Sequence, residues 1–304
     1  MPCYSPLTGY RSREINENGK RKLVFNPEKG YIDLKVTVPC GQCIGCRLER
    51  SRQWAMRCVH EASLYNNNSF ITLTYSQENL PENNSLDVKH FQDFMKRLRK
   101  KYNNKTIRFF HCGEYGTQNN RPHYHACLFN HDFEDKLIWQ IRDGVKLYTS
   151  ETLQKLWPQG FSTIGDVTFE SAAYVARYIM KKITGEKAEK HYQIVEPTTG
   201  EIFDLKPEYT TMSRRPGIGM DWYNKYREDT YKDDFIIMRG MKMQPPKFYD
   251  NIYEIQQPEA HLNIKKGRKR RALKNKKDNT PERLLTKEKV KQAQLKQLKR
   301  NIED

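Results

Sequence analysis

Long apolar runs are missing from this sequence. Nowhere in its 304 residues does a hydrophobic stretch approach the roughly 20 residues that span a bilayer. The start, Met1-Pro-Cys-Tyr4, lacks a basic segment leading into an apolar one, so no secretory leader is read there. There is no internal repeat. Cysteines number seven, an odd count, and three of them crowd into Cys40-Gly-Gln-Cys-Ile-Gly-Cys46. Without an export signal, that spacing argues against a disulfide framework and for reduced thiols, with or without a metal. An intracellular protein is expected. Acidic residues are also scarce, 37 against 54 lysines and arginines, for a net charge of +17. Such an excess points to a polyanionic partner, nucleic acid above all. It is concentrated at the end of the chain. From His261 to Asp304, 16 basic residues face 5 acidic ones, so the body of the chain is only moderately basic.

The pattern along the chain predicts an α+β fold with a largely antiparallel central sheet flanked by helices. A strand is expected at Tyr31 to Val38, a helix from Arg47 to Tyr65, and a strong β-branched and aromatic strand at Ser69 to Tyr75. Asp87 caps a helix whose apolar residues Val88, Phe91, Phe94, Met95, Leu98 and Tyr102 recur at helical spacing. A β-hairpin follows, with arms Thr106 to Tyr115 and His123 to Phe129. Ser150 caps a short helix, Phe161 to Thr168 reads as a strand, and Ser171 to Thr184 as a helix stopped by Gly185. The aromatics of 186 to 260 indicate packing without fixing elements. Ile264 to Arg271 reads as disordered, and Thr280-Pro281-Glu282 opens a last charged helix. We divide the chain into a cysteine-containing segment and helix (1–66), a central domain (67–240, with its core at 67–185) and a basic tail (241–304).

Two segments carry chemistry. In Pro122-His-Tyr-His125 the two imidazoles lie two apart on a strand and face the same way. Glu114 on the opposing arm is the natural third ligand. Two imidazoles and a carboxylate leave positions open for water and phosphate oxygens, a set suited to Mn²⁺ or Mg²⁺. Taken alone, His-x-His is more often a pair of strand histidines bonded to neighbours; the paired Glu argues for metal. Downstream, Tyr174 and Tyr178 sit four apart on one helix face. A phenol with pKa about 10 needs its anion stabilised to act as a nucleophile, and Arg177, Lys181 and Lys182 are placed to do so and to grip phosphate. By themselves the tyrosines would be an ordinary amphipathic face.

Together these residues resemble the histidine-hydrophobe-histidine (HUH) rolling-circle replication initiators of the two-tyrosine class, and more closely those of the gokushovirus branch of the microviruses. Phe70-Ile-Thr-Leu-Thr-Tyr75 resembles the first motif, Pro122-His-Tyr-His125 the metal motif, and Tyr174-Val-Ala-Arg-Tyr-Ile-Met-Lys181 the tyrosine helix, with Arg177 where Lys is typical. Met1-Pro-Cys-Tyr4, the cysteine cluster and Met212-Ser-Arg-Arg-Pro-Gly-Ile-Gly219 also look like this group. The resemblance covers residues 1 to 230 or so. It implies an HUH-type palm, a divalent metal (Mg or Mn), and a metal-dependent single-strand endonuclease and strand transferase. Such an enzyme nicks origin DNA through a tyrosine, keeps the 5′ phosphate, frees a 3′ hydroxyl, and later rejoins the displaced strand. It further implies viral origin DNA, a host helicase and a host polymerase as partners, and the host bacterial cytoplasm as the setting. Nothing resembles a Walker loop, so unwinding is expected of the host helicase.

Cys40, Cys43 and Cys46 are close enough to share a structural zinc, with Cys3 the natural fourth ligand and Cys58 or His60 as alternates; a metal-free reduced loop is the competing reading. Arg214 and Arg215, on a stiff loop, suit backbone phosphates. Two rival functions remain: an HUH-type transposase, and a non-catalytic zinc-stabilised nucleic-acid-binding protein. The latter would bury both tyrosines as core, whereas a nuclease needs one beside His123 and His125.

Overall fold

The computed structural model describes residues 3–17, 19, 21–116, 119–142, 144–178, 188, 191–195 and 200–297. The chain divides into two compact units, one made of Met1–Arg50 with Leu262–Glu303, the other of Ser51–His261. In the first unit β1 (Leu7–Ile15), β2 (Arg21–Val24) and β3 (Gly30–Val38) form an antiparallel sheet in the order β2-β1-β3. The alternation of Ile32, Leu34, Val36 and Val38 foretold β3. Helix α1 (Ile44–Ala62) begins inside the cysteine cluster and continues into the second unit.

The second unit runs β4 (Asn68–Thr74), α2 (Val88–Lys101), β5 (Arg108–Tyr115), β6 (Pro122–Phe129), β7 (Lys136–Arg142), β8 (Val145–Ser150), α3 (Glu151–Leu156), β9 (Ser162–Gly165) and α4 (Phe169–Tyr178). After these come β10 (Gln193–Val195), β11 (Ile202–Asp204), β12 (Tyr209–Met212), α5 (Met220–Asp233), β13 (Ile236–Met238), β14 (Met241–Met243) and α6 (Lys247–Gln256). Seven strands build one sheet, ordered β12-β5-β6-β4-β9-β8-β7, with every neighbouring pair antiparallel. The expected α+β class with a flanked antiparallel sheet is what is found.

Helices pack on both faces of this sheet, whose central strands are apolar on one side and, on the other, carry Phe70, Phe110 and Cys127 beside polar residues. On one face Ile71, Leu73, Tyr124, Ala126 and Leu128 pack against Phe91, Phe94, Met95 and Leu98 of α2. That helix starts where expected, the Asp87 side chain accepting a hydrogen bond from Lys89 N (2.9 Å). On the other face Trp54 of α1 stacks on Phe110, centroids 4.8 Å apart, and Ser51 Oγ donates to the Ala173 carbonyl of α4 (2.9 Å). The hairpin β7–β8 was not anticipated; its residues Leu137, Ile138, Trp139 and Ile141 are exposed, so they show no clean apolar-in, polar-out pattern. The helix expected over Ser171 to Thr184 is described as far as Tyr178; Lys181, Lys182 and its expected stop at Gly185 lie outside the described residues.

The tail carries α7 (Pro258–Lys274) and α8 (Pro281–Lys296). The disorder expected at 264–271 is therefore a helix. Lysine, arginine, alanine and leucine are good helix formers, and Gly267 opposes them by only about 1 kcal/mol. Helix α8 opens as expected, with Pro281 in its first turn and Thr280 Oγ1 accepting from Arg283 N. Among the described residues no helix is long and apolar enough to cross a membrane.

Candidate active site

The pairing of β5 with β6 sets Glu114 opposite His123 and Cys112 opposite His125. The pairing of β6 with β4 sets His125 opposite Thr72 and His123 opposite Thr74. Residues facing each other across an antiparallel ladder project to the same side, so Glu114, His123, His125, Thr72 and Thr74 share one face. Glu114 Oε1 lies 2.9 Å from Nε2 of both His123 and His125, and the three ligand atoms fall within 4.8 Å of one another. Glu114 is 1% exposed and His125 3%, while His123 is only partly buried, which leaves the pocket open on its side. His111, three residues before Glu114, points to the opposite face, stacked on Phe91 with centroids 3.4 Å apart, and burial drives its pKa well below the usual imidazole value.

The donor set fits a cation. His123 Nδ1 is 3.1 Å from the Arg121 carbonyl, which can only accept, so that nitrogen carries the proton. In the neutral ring Nε2 then turns a lone pair toward the Glu114 carboxylate 2.9 Å away. Two electron-rich atoms at that distance need a positive charge between them, supplied by a second proton or by a metal ion. Burial opposes ionisation of Glu114, yet the His123 and His125 hydrogen bonds outweigh it and hold the carboxyl to about 2. The sequence reading missed Thr72, whose Oγ1 lies 2.9 Å from His125 Nδ1 and orients that ring. A signal was present: Thr72 and Thr74 alternate with Ile71, Leu73 and Tyr75, which puts both hydroxyls on one face of the strand.

Helix α4 brings Tyr174 to this cluster. Its hydroxyl donates to Glu114 Oε1 at 3.2 Å, and its ring meets His125 edge-on, centroids 4.9 Å apart. The Arg177 guanidinium lies 5.3 Å from the Tyr174 ring centroid. Burial and proximity thus coincide: Tyr174 is 3% exposed, yet its hydroxyl bonds the carboxylate that both histidines share. Tyr178 ends the described part of α4, and its side chain lies outside the description.

Residues 68–183, the span from β4 through this tyrosine helix, match the family model for replication-associated protein ORF2/G2P. The chain is 36% identical over 296 residues to the replication-associated protein ORF2 of Spiroplasma virus 4, covering 90% of this chain and 87% of that protein. It is 32% identical over 272 residues to the replication-associated protein VP4 of Bdellovibrio phage phiMH2K (86% and 80% covered). The replication-associated protein ORF4 of Chlamydia phage 1 is 28% identical over 235 residues (73% and 56% covered). The chain belongs to the microvirus replication-associated proteins. No solved structure matches it.

Two further sets of residues in this replication-associated protein were singled out by sequence. Cys3, Cys40, Cys43 and Cys46 converge in the first unit. The Cys3–Cys40, Cys3–Cys43 and Cys40–Cys46 sulfurs are 3.7, 3.9 and 4.0 Å apart, close to the edge of about 3.8 Å that a tetrahedron with 2.3 Å zinc–sulfur bonds requires. Backbone N–H groups of Tyr4, Cys40 and Cys43 donate to sulfurs of the cluster, as suits thiolates. At Cys43, burial is outweighed by the N–H groups of Tyr4 and Cys46, which bring the thiol down to about 7. The alternates do not join: Cys58 is buried beside Cys127, and His60 Nδ1 pairs with the Tyr249 hydroxyl at 3.0 Å. Arg214 and Arg215 are exposed on a loop tied down at both ends. Ser213 N donates to Phe109 O (3.0 Å), and Arg108 Nη2 donates to Pro216 O (2.8 Å). A buried ion pair, Arg108 with Glu61, backs this loop, and Glu61 Oε2 also accepts from Gly219 N (2.6 Å).

Proposed function

We propose that this protein is a rolling-circle initiator that nicks and rejoins viral origin DNA through a tyrosine. The observation carrying this reading is the hydrogen bond from Tyr174 to Glu114, which ties a nucleophile of the right type to a two-histidine, one-carboxylate cluster. Glu114, His123 and His125 would hold Mg²⁺ or Mn²⁺, which when bound polarises the phosphodiester and offsets charge on its oxygens. Glu114 accepts from the phenol and Arg177 lies against the ring, so the side chain is held in place before substrate arrives. Attack of the phenolate oxygen on phosphorus forms the 5′-phosphotyrosine bond and breaks the bond to the 3′ oxygen, which leaves as a hydroxyl after taking up a proton. The energy of the broken bond is kept in the ester, so the reverse reaction reseals a strand without a nucleotide cofactor. Tyr178 would serve the second transfer, with Lys181 and Lys182 completing the phosphate grip. Arg214 and Arg215 would bind backbone phosphate, a host helicase and polymerase would supply unwinding and synthesis, and Cys3, Cys40, Cys43 and Cys46 would hold a structural zinc.

The test is a covalent adduct. Purified protein with Mn²⁺ and a labelled origin oligonucleotide should give a protein–DNA band that survives denaturation. The band should weaken in Tyr174→Phe or Tyr178→Phe and vanish in the double variant. Tight binding with no adduct would instead favour the non-catalytic nucleic-acid-binding reading.

A further inference from the structure

The sheet face that carries the histidines continues past them into an exposed aromatic pair. Glu114, His123 and Thr74 stand in one row across β5, β6 and β4. The next position in that row is Phe161. Thr74 N and Thr74 Oγ1 both donate to the Phe161 carbonyl, each at 2.9 Å, which extends the β4–β9 ladder by one position past Leu73 opposite Ser162 and keeps Phe161 in phase with Thr163 opposite Thr72. Phe161 therefore projects from the same face as the histidines. Two strand spacings separate it from His123, about 10 Å. Its ring meets that of Trp139 edge to face, centroids 5.1 Å apart. Trp139 occupies the irregular step of β7, between the pairs Ile138–Tyr148 and Gln140–Leu147.

The pair is held in place yet left bare. Phe161 is 43% exposed and Trp139 51%; the other three tryptophans are buried or half-buried. The segment before Phe161 is pressed onto β4: Ser76 N donates to Gln159 O (2.9 Å) and Trp157 Nε1 to Thr74 O (2.8 Å). Gly160 allows this approach, because a Cβ there would sit 2.3 Å from Thr74 O. Between the aromatic pair and the histidines lie Thr74 and Thr72, and just before β6 Arg121 is anchored past the end of β4 by Gln77 Oε1 (2.8 Å) and Tyr75 O (2.9 Å).

We infer that Trp139 and Phe161 form a base-stacking platform for single-stranded DNA, holding the nucleotides that flank the phosphodiester at the Glu114–His123–His125 cluster. The inference rests on the proposed nicking function and adds where its substrate is held. Three features choose the occupant: rigid aromatic faces in the open, alignment with the Glu114–His123–His125 cluster about two strand spacings away, and the Arg121 guanidinium anchored beside the row. Stacking on aromatic side chains beside basic groups is how proteins hold single strands without reading every base. The remainder of the exposed apolar β7 hairpin offers the competing occupant, a protein.

Binding of a short oligothymidylate to the full chain, without added divalent metal, tests this. DNA should quench tryptophan fluorescence. Trp139→Ala and Phe161→Ala should each weaken binding roughly 5- to 150-fold, the range expected for one stacked base, and Trp139→Phe should restore most of it. Oligonucleotides carrying bromodeoxyuridine beside the nick position should photo-crosslink to Trp139 or Phe161. Unchanged affinity in the double alanine variant, with no crosslink at either residue, overturns the platform and assigns the hairpin to a protein partner. Failure of the nicking reading looks different: stacking and crosslinks persist while no tyrosine adduct forms with Mn²⁺.

Discussion

Thr72 shows how much of a site depends on a residue with no chemistry of its own. Its hydroxyl, 2.9 Å from His125 Nδ1, fixes the plane of a ring whose other nitrogen faces Glu114. Removing such an orienting partner commonly weakens metal binding about 10- to 100-fold. Thr72→Val should therefore lower Mn²⁺ affinity by that factor in calorimetry, with an unchanged far-ultraviolet spectrum. Wild-type affinity would remove Thr72 from the site. Glu114→Gln keeps the shape but withdraws the charge that both imidazoles face, so the same calorimetry should show a larger loss. These two substitutions separate orientation from charge, which Glu114→Ala would confound with a cavity.

At the scale of elements, the site is carried by a hairpin and a helix that the sequence made readable, and it is supported by contacts the sequence hid. The arms of β5 and β6 were legible because their flanking turn and apolar residues mark them, and the His-x-His spacing then puts both rings on one face. Tyr174 and Tyr178 were legible as a helical pair. The Glu61–Arg108 ion pair was not: its members are 47 residues apart, and nothing local in either helix or strand marks a partner. The same holds for Ser213 bonding Phe109. Hairpin β7–β8 escaped because exposed apolar residues lack alternation, and the helical tail because charge density was weighed above helix propensity. The hidden ion pair gives a sharp expectation. Arg108→Met leaves Glu61 buried and uncompensated, which should cost about 3–5 kcal/mol in urea unfolding. Replacing Glu61 by Leu as well should recover much of that stability. A single variant as stable as wild type would mean that the pair is already solvated. Gly160→Ala should cost about 1–3 kcal/mol by overpacking against β4; a neutral result would show that the 159–161 segment can lift.

For the whole molecule, the buried histidines make stability depend on pH in a direction the structure dictates. His60 is stacked on Trp222 at 3.6 Å and bonded to Tyr249; burial lowers its pKa from 6.5 to about 3. His131 is lowered by burial to about 4. An unfolded chain takes up a proton at each near pH 6.5, while the folded chain resists until pH 3 to 4. Between those limits the unfolded state binds more protons, so stability must fall as the pH falls, by up to about 1.4 kcal/mol per pH unit for each such group. The opposite trend, stability gained on acidification, is excluded for these residues because neither has an acidic partner that would reward its charge. Other groups of the chain take up protons on acidification as well, so the decisive quantity is a difference between two proteins. Urea midpoints of wild type and His60→Asn, followed from pH 7 to pH 4, should diverge in slope below pH 6.5, the variant losing stability less steeply by about 1.4 kcal/mol per unit. Whatever the variant loses in packing shifts its whole curve without changing that slope. Parallel curves would mean that His60 is hydrated in the folded state, and that the stack on Trp222 opens far more often than its burial implies.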